Sequence, residues 1–438
     1  MANLANATSL RRDIGIFGAS FLALNAMIGA GIFALPGKIA VNAGLLTPWL
    51  FLVVGVFFLT IVLCFAELAS YYKGTGGPVL YANDAFGPLA GFSTGWAIYL
   101  SRATAFAANA NVMAIYLASL HDLFAGPVAR AAIITIVTSG LTWANVCGVR
   151  DGVRTMAVFT FLKVTPLILM ILFGLQYVTH STLLPAPPFE FTEPGSTVLL
   201  LIYAYVGFET ISVTAGETTR PRKTLPLAYV SSILGTALLY FFIVLVFVSV
   251  IPAENYSSGT LVDVGRTLAG QLGAIVITLA AVFSIGGNLA GSILAAPRLI
   301  YSMAENRMLP GWFAHVHPRF ATPNRAILAT GAMILVLALT GSFVQLAIAS
   351  SVVRLLGYIV SIASLPAIRR QATPEVRKTA FRLKGGYLVP IAALSLCFWL
   401  LAQSSLQSFI AVLLLLAIGW LFYAIEYWAA QRRTQSPP

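Results

Sequence analysis

Apolar residues run along this chain in long stretches, and polar residues gather in short gaps between them. A helix needs about 20 apolar residues to cross a bilayer. Twelve candidate runs stand out, at 15–40, 46–71, 89–119, 129–147, 156–178, 196–218, 227–251, 271–299, 326–342, 344–367, 387–403 and 407–428. Apolar–polar alternation is absent, which excludes a transmembrane β-barrel. The gaps carry Gly, Pro and charge, as at 73–78, 220–226 and 319–323, and none has room for a soluble domain. The pattern predicts an all-α integral membrane protein with twelve transmembrane helices in a single domain over 1–438.

Composition strengthens this reading. Of 438 residues, 59% are hydrophobic and only 9% charged, with a mean hydropathy of +0.88. A soluble protein of this length needs far more charge to cover its surface. The net charge of +12 would suggest nucleic acid in a soluble protein. Here the basic residues lie in the gaps, with no basic face interleaved with aromatics, so no nucleic-acid partner is expected. Cys64, Cys147 and Cys397 lie in or at the ends of apolar runs, with no CxxC, and read as core residues. The start has no short apolar core followed by a small-residue cleavage site, so no cleaved signal peptide is expected.

The charges also orient the chain. With the N-terminus inside and twelve crossings, the outer side holds only Lys38, Arg130 and Arg266, whereas 20 of the 26 Lys and Arg fall inside. That is the positive-inside pattern. It predicts cytoplasmic termini and a multi-pass protein of the plasma membrane, of the bacterial inner-membrane kind. Arg102, Lys163 and Arg354 fall within runs.

Two runs look broken. The first contains IGAGIF at 28–33, then Leu35-Pro36-Gly37. Each glycine costs a helix about 1 kcal/mol relative to alanine, and in lipid the freed backbone groups need partners. The amides of Gly29, Ala30 and Gly31 would face an anion, for which a carboxylate is the obvious small candidate. Small residues also serve close helix packing, and the glycine pair alone does not choose. The sixth run contains YAYVGFE at 203–209, a glycine beside an intramembrane glutamate. A carboxylate at that depth costs about 2.5–3.5 kcal/mol on insertion scales. Broken helices at matching positions of two halves point to a transporter site. Runs 1 and 6 open two sets of five, and because five is odd the sets enter the membrane from opposite sides.

The ordered motifs IGAGIF (28–33), FAELAS (65–70), GTGGPVLYANDAFGPLAGF (74–92), YVGFETISVTAGET (205–218), PRKTLPLA (221–228) and SILAAPRLIYSMAENRMLP (292–310) resemble the amino acid–polyamine–organocation family, which has the leucine-transporter fold. The resemblance implies a five-plus-five inverted repeat, 15–178 and 196–367, with accessory helices in 387–428. It implies alternating access to a site between runs 1, 3, 6, 8 and 10, unwound in runs 1 and 6. The substrate carboxylate would meet the Gly29–Gly31 amides, and the α-amine the carbonyls near Tyr203 and Ala204, beside Gly207. Tyr203 matches a gating aromatic. Selectivity would come from Ile28, Ala108, Phe208 and Ser284. Glu209 would tie the unwound sixth run to its neighbours, and Glu67 reads as structural or part of an inner gate.

In one branch of the family, a lysine matching Lys163 puts its ammonium where sodium-coupled relatives hold a sodium ion. A fixed cation there makes sodium coupling unnecessary. An amine in a dry setting gives up its proton more readily than in water, which opens a route to proton coupling. The alternative is a lysine that snorkels to the inner interface, and the sodium-mimicking reading is preferred. Arg102, taken as about two turns into its run, reads as structural and near the inner side. Neither it nor Arg354 has a partner legible in the sequence.

In heteromeric relatives a cysteine in the gap matching 120–127 links to a glycoprotein; this gap has none, so no disulfide-linked heavy chain is expected. No cofactor or metal is expected, and no HExxH, Walker A or GxSxG element appears. The expected function is secondary transport of amino acids, proton-coupled or by exchange, with neutral substrates favoured because no spare acid awaits a cationic side chain. The alternatives are a cationic amino acid or polyamine exchanger, and outside transport a channel or membrane enzyme, for which no filter motif or acid–histidine cluster is visible.

Overall fold

The computed structural model describes residues 15–72, 77–119, 121–148, 152–187, 191–213 and 218–435. Parts of two motifs (74–76 and 214–217) and the basic residues Arg11, Arg12, Lys73 and Arg150 lie outside the described residues. The described chain is helical. In order the helices are α1 (Ile16–Met27), α2 (Gly31–Ala43), α3 (Thr47–Tyr71), α4 (Pro78–Phe86), α5 (Pro88–Ala118), α6 (Pro127–Cys147), α7 (Gly152–Gly174), α8 (His180–Leu183) and α9 (Pro194–Tyr205). They continue with α10 (Thr210–Val213), α11 (Pro221–Val250), α12 (Leu261–Glu305), α13 (Asn324–Thr340), α14 (Phe343–Gln371), α15 (Pro374–Thr379), α16 (Leu388–Ala402) and α17 (Leu406–Gln435). No β-strand occurs among the described residues.

Proline and glycine set most ends. Pro78, Pro88, Pro127, Pro194 and Pro221 open their helices, where the missing N–H costs nothing. This moves one boundary: α11 starts at Pro221, ahead of the run expected from 227, because Pro226 in its first turns does not break it. The α12 backbone kinks at Ala269 and Gly270, where φ of Gly270 is +59°. Glycine adopts that left-handed geometry without a Cβ penalty. The kink divides a short capped helix, with Asp263 accepting from the Thr260 amide at 2.9 Å, from the apolar run expected from 271.

Six helical stretches among the described residues are long and apolar enough to cross a membrane; α1, α9, α13, α16 and part of α7 are shorter apolar helices. Bulky apolar residues such as Ile136, Phe173, Leu272, Ile391 and Leu414 are exposed. Such a surface suits lipid and not water. The protein is a multi-pass helical membrane protein.

The interior is assembled around α5, which packs on α4, α6, α12, α13, α14 and α17. α3 packs on α11, α7 on α12, and α1 on α11. At one end, the fully buried Glu67 of α3 accepts two hydrogen bonds from Arg369 of α14, both 2.8 Å, and one from the Leu383 amide at 3.0 Å. Arg369 also donates to Gly386 O at 2.8 Å. Glu67 thus pins the segment leading into α16 against α3 and α14.

Candidate functional site

The first apolar run is broken between α1 and α2. Ile28 has φ −75° and ψ 82°, and the helix resumes at Gly31. Unwinding strands carbonyls that a continuous helix would satisfy, and each is met from a neighbouring helix. Lys163 Nζ of α7 donates to Asn25 O at 2.8 Å and to Ile28 O at 2.7 Å. Asn288 Nδ2 of α12 donates to Ala26 O at 3.1 Å, and Tyr240 OH of α11 to Met27 O at 3.1 Å. Ser284 Oγ of α12 donates to Ile28 O at 3.0 Å and Gly29 O at 3.4 Å. Lys163 is 1% exposed, so it does not snorkel.

The amides are treated differently. Gly29 is expected from sequence to offer a free donor, but its N–H turns back to Met27 O at 2.8 Å. Among the described residues the amides of Ala30, Gly31 and Ile32 have no acceptor. The free donors therefore begin one residue later than expected, because a tight turn at Ile28 takes the first. The same glycines also serve packing: a Cβ on Gly31 would lie 3.2 Å from Ala204 Cα, and one on Gly29 3.1 Å from Asn288 Nδ2.

The sixth run breaks between α9 and α10. Val206 is extended and Gly207 has φ +118°, open to glycine and strained for other residues. A Cβ on Gly207 would also lie 2.7 Å from Ala26 O, so the two breaks abut. Glu209, 3% exposed, forms an ion pair with Arg354 of α14 and accepts from Tyr358 OH at 3.1 Å and from the Gly207 amide at 3.2 Å. Arg354 Nε donates to Ser101 Oγ of α5 at 2.8 Å. Glu209 thereby ties the break to α14 and α5.

Tyr203 OH donates to Asn109 Oδ1 at 2.6 Å and to Ala105 O at 3.3 Å, and its ring stands edge-on to Phe343 at 5.9 Å. Asn109 Nδ2 donates to Asn288 Oδ1 at 2.8 Å. A relay thus runs from Tyr203 through Asn109 and Asn288 to Ala26 O, joining the breaks through α5 and α12. Sequence reasoning missed both asparagines; the available signal was a polar amide inside each of two apolar runs.

The structure brings Ile28, Gly29, Ala30, Gly31, Lys163, Tyr203, Ala204, Gly207 and Ser284 to the paired breaks. It turns the Phe208 ring away from them. Phe208 is fully buried among Phe58, Phe65, Tyr229 and Tyr358, at 5.2–5.8 Å. The Gly207 turn carries its ring away, into α3, α11 and α14. Ala108 is fully buried on α5. Ser284 braces the break through its hydroxyl.

The chain is 27% identical to the methylthioribose transporter of Bacillus subtilis, covering 95% of this chain and 93% of that protein. It is 26% identical to the serine/threonine exchanger SteT of the same organism, over 97% and 98%. It is 29% identical to human large neutral amino acids transporter small subunit 2, over 89% and 75%. These relatives are transporters and not enzymes. A family model described as amino acid permease matches residues 14–431, and with the broken helices and ordered motifs already in place, this chain belongs to the amino acid permease family.

Proposed function

We propose that this permease is a sodium-independent secondary transporter that moves amino acids by alternating access, with neutral substrates preferred over cationic ones. The carrying observation is the disposition of the first break: its carbonyls are occupied by Lys163, Asn288, Tyr240 and Ser284, while three consecutive amides at the start of α2 are left as donors. A substrate carboxylate fits those amides. Its α-amine fits the last carbonyls of α9, including Tyr203 and Ala204, which lack the amides a further helical turn would bring.

A fixed ammonium on Asn25 O and Ile28 O does the work of a bound cation, which supports sodium independence. Coupling then runs by protons or by exchange of one amino acid for another. The cationic or polyamine alternative is disfavoured because Glu209, the acid at the second break, is already matched by Arg354.

Helix pairing supports twelve crossings with an inverted repeat over 15–178 and 196–367 and accessory helices in 387–428. If α1 and α2 correspond to α9 and α10, α3 to α11, α5 to α12, α6 to α13 and α7 to α14, the pairing of α5 with α14 becomes that of α12 with α7. The pairing of α1 with α11 likewise becomes that of α9 with α3, and all four occur. The basic gaps favour cytoplasmic termini in a plasma membrane of the bacterial inner-membrane kind. A glycoprotein partner, if any, is not disulfide-linked through 120–127, which holds no cysteine.

The test is uptake into proteoliposomes with a panel of radiolabelled amino acids, polyamines and methylthioribose, with and without sodium and a pH gradient. Neutral amino acids are expected to enter without sodium. Sodium stimulation would remove the Lys163 reading, and failure of every amino acid would remove the substrate assignment. A smaller effect is expected for Tyr203→Phe, which deletes the hydroxyl link to Asn109. A net loss of about 1 kcal/mol raises the apparent KM roughly fivefold, and an unchanged KM would take Tyr203 out of the site.

A further inference from the structure

We propose that Arg102 reads the side-chain end of the substrate and accepts an anionic group there, so that amino acids with a second carboxylate are also carried. This rests on the transporter reading above and extends it to substrate class.

α5 is the most enclosed long helix. Between Thr94 and Ala114 its partly accessible residues are Ile98, Arg102 and Ala105, and the others are buried. Their spacing puts the three on one face. That face looks toward the second break: Ala105 O accepts from Tyr203 OH at 3.3 Å, and Arg102 stands within Coulombic range of Glu209, Arg354 and Tyr358. Helices surround α5, so this accessible stripe is internal and not a lipid face. Arg102 is about four turns from the start of α5 at Pro88, near the middle of Pro88–Ala118. The placement about two turns in, near the inner side, is corrected.

A guanidinium at that depth is costly unless it faces a partner or water. It offers five N–H donors, and none of those on Arg102 has an acceptor among the described residues. Glu209 does not fill that role. Its Oε1 is on Arg354 and its Oε2 takes Tyr358 OH and the Gly207 amide. The other polar side chains of the paired breaks, Asn109, Asn288, Tyr203, Ser101 and Ser284, carry no charge. Among the described residues, Arg354 and Arg102 thus share a single carboxylate, and this part of the site holds surplus positive charge.

An amino acid seated by its α-carboxylate and α-amine is itself neutral and leaves that surplus in place. A side chain ending in a carboxylate offsets it and matches the planar donor fork. A cationic side chain meets like charge. The expected order is acidic side chains accepted, neutral ones tolerated and cationic ones refused.

The experiment uses the purified full chain in proteoliposomes. Unlabelled glutamate, aspartate, lysine and arginine compete against whichever radiolabelled neutral amino acid the panel identifies, and uptake of labelled glutamate is followed directly. The acidic pair is expected to compete at concentrations at least about tenfold below the cationic pair. In Arg102→Gln the ratio of glutamate to neutral uptake falls at least about tenfold, and Arg102→Lys retains part of it. A purely structural arginine would lower both uptakes without moving their ratio, and that result would overturn the proposal. If Arg102→Gln does not reach the membrane, the wild-type competition decides alone. Acidic amino acids that fail to compete while a neutral one is carried would sink this inference and leave the transporter reading standing. Failure of all amino acids would sink that reading itself.

Discussion

Lys163→Ala is expected to reduce uptake by about 10- to 100-fold while the protein still reaches the membrane. The ammonium is 1% exposed and divides its hydrogen bonds between Asn25 O and Ile28 O. Its removal takes from Asn25 O a bond of 2.8 Å and from Ile28 O its shortest bond, leaving Ile28 O with Ser284 Oγ at 3.0 Å among the described residues. A buried polar group left unsatisfied costs about 1–3 kcal/mol. That cost falls on the unwound conformation in which the amides of Ala30, Gly31 and Ile32 point free, so the binding-competent population drops by about one to two orders of magnitude. Lys163→Arg is not expected to restore transport, because a planar guanidinium does not replace a compact ammonium between two carbonyls. The measurement is initial uptake at several pH values, with abundance followed by size-exclusion chromatography of the solubilised protein. Transport and pH dependence both unchanged in Lys163→Ala would end the view that this lysine holds the break in place of a bound cation.

The breaks and Lys163 were legible in the sequence because each is rare inside an apolar run. A glycine pair weakens a helix wherever it stands, and a charge in lipid needs a reason. Helix ends were legible to within a few residues at Pro88, Pro127 and Pro194, but not at Pro221, where a second proline at 226 obscured the start. Partners were less so. Glu209 and Arg354 are 145 residues apart in the chain, and Glu67 and Arg369 are 302 apart; hydropathy carries no record of which buried acid meets which base. The asparagine relay escaped because amides are neutral and do not interrupt a hydropathy count. Phe208 was legible as a neighbour of the site but not in its direction, since one glycine at φ +118° re-aims everything after it. Resemblance supplied the positions of these residues, and only the fold supplied their facing. The same limit applied to Arg102, whose free donors cannot be inferred from its place in a run.

Arg354→Ala should be among the most destabilising single changes in this protein, by about 3–5 kcal/mol. It leaves the Glu209 carboxylate, 3% exposed, without its guanidinium and removes the hydrogen bond that ties Ser101 to the second break. The unfolding temperature in detergent is expected to fall roughly 5–10 °C, scaling from about 2–4 °C per kcal/mol in smaller domains. Glu209→Gln is expected to cost as much, because it strands the arginine instead. The double variant Glu209→Gln with Arg354→Gln removes both charges, and neutral amides can still hydrogen-bond, so it should recover more than half of the loss. That non-additivity distinguishes a pair from two independent structural residues. Additive losses would mean that each residue is held by its other contacts, Tyr358 and the Gly207 amide for one and Ser101 for the other. A recovered double variant that still transports poorly would separate two roles. The pair's charge neutrality would then serve stability, while its fixed geometry holds Gly207 against Ala26 so that the two broken helices present donors and acceptors to one substrate.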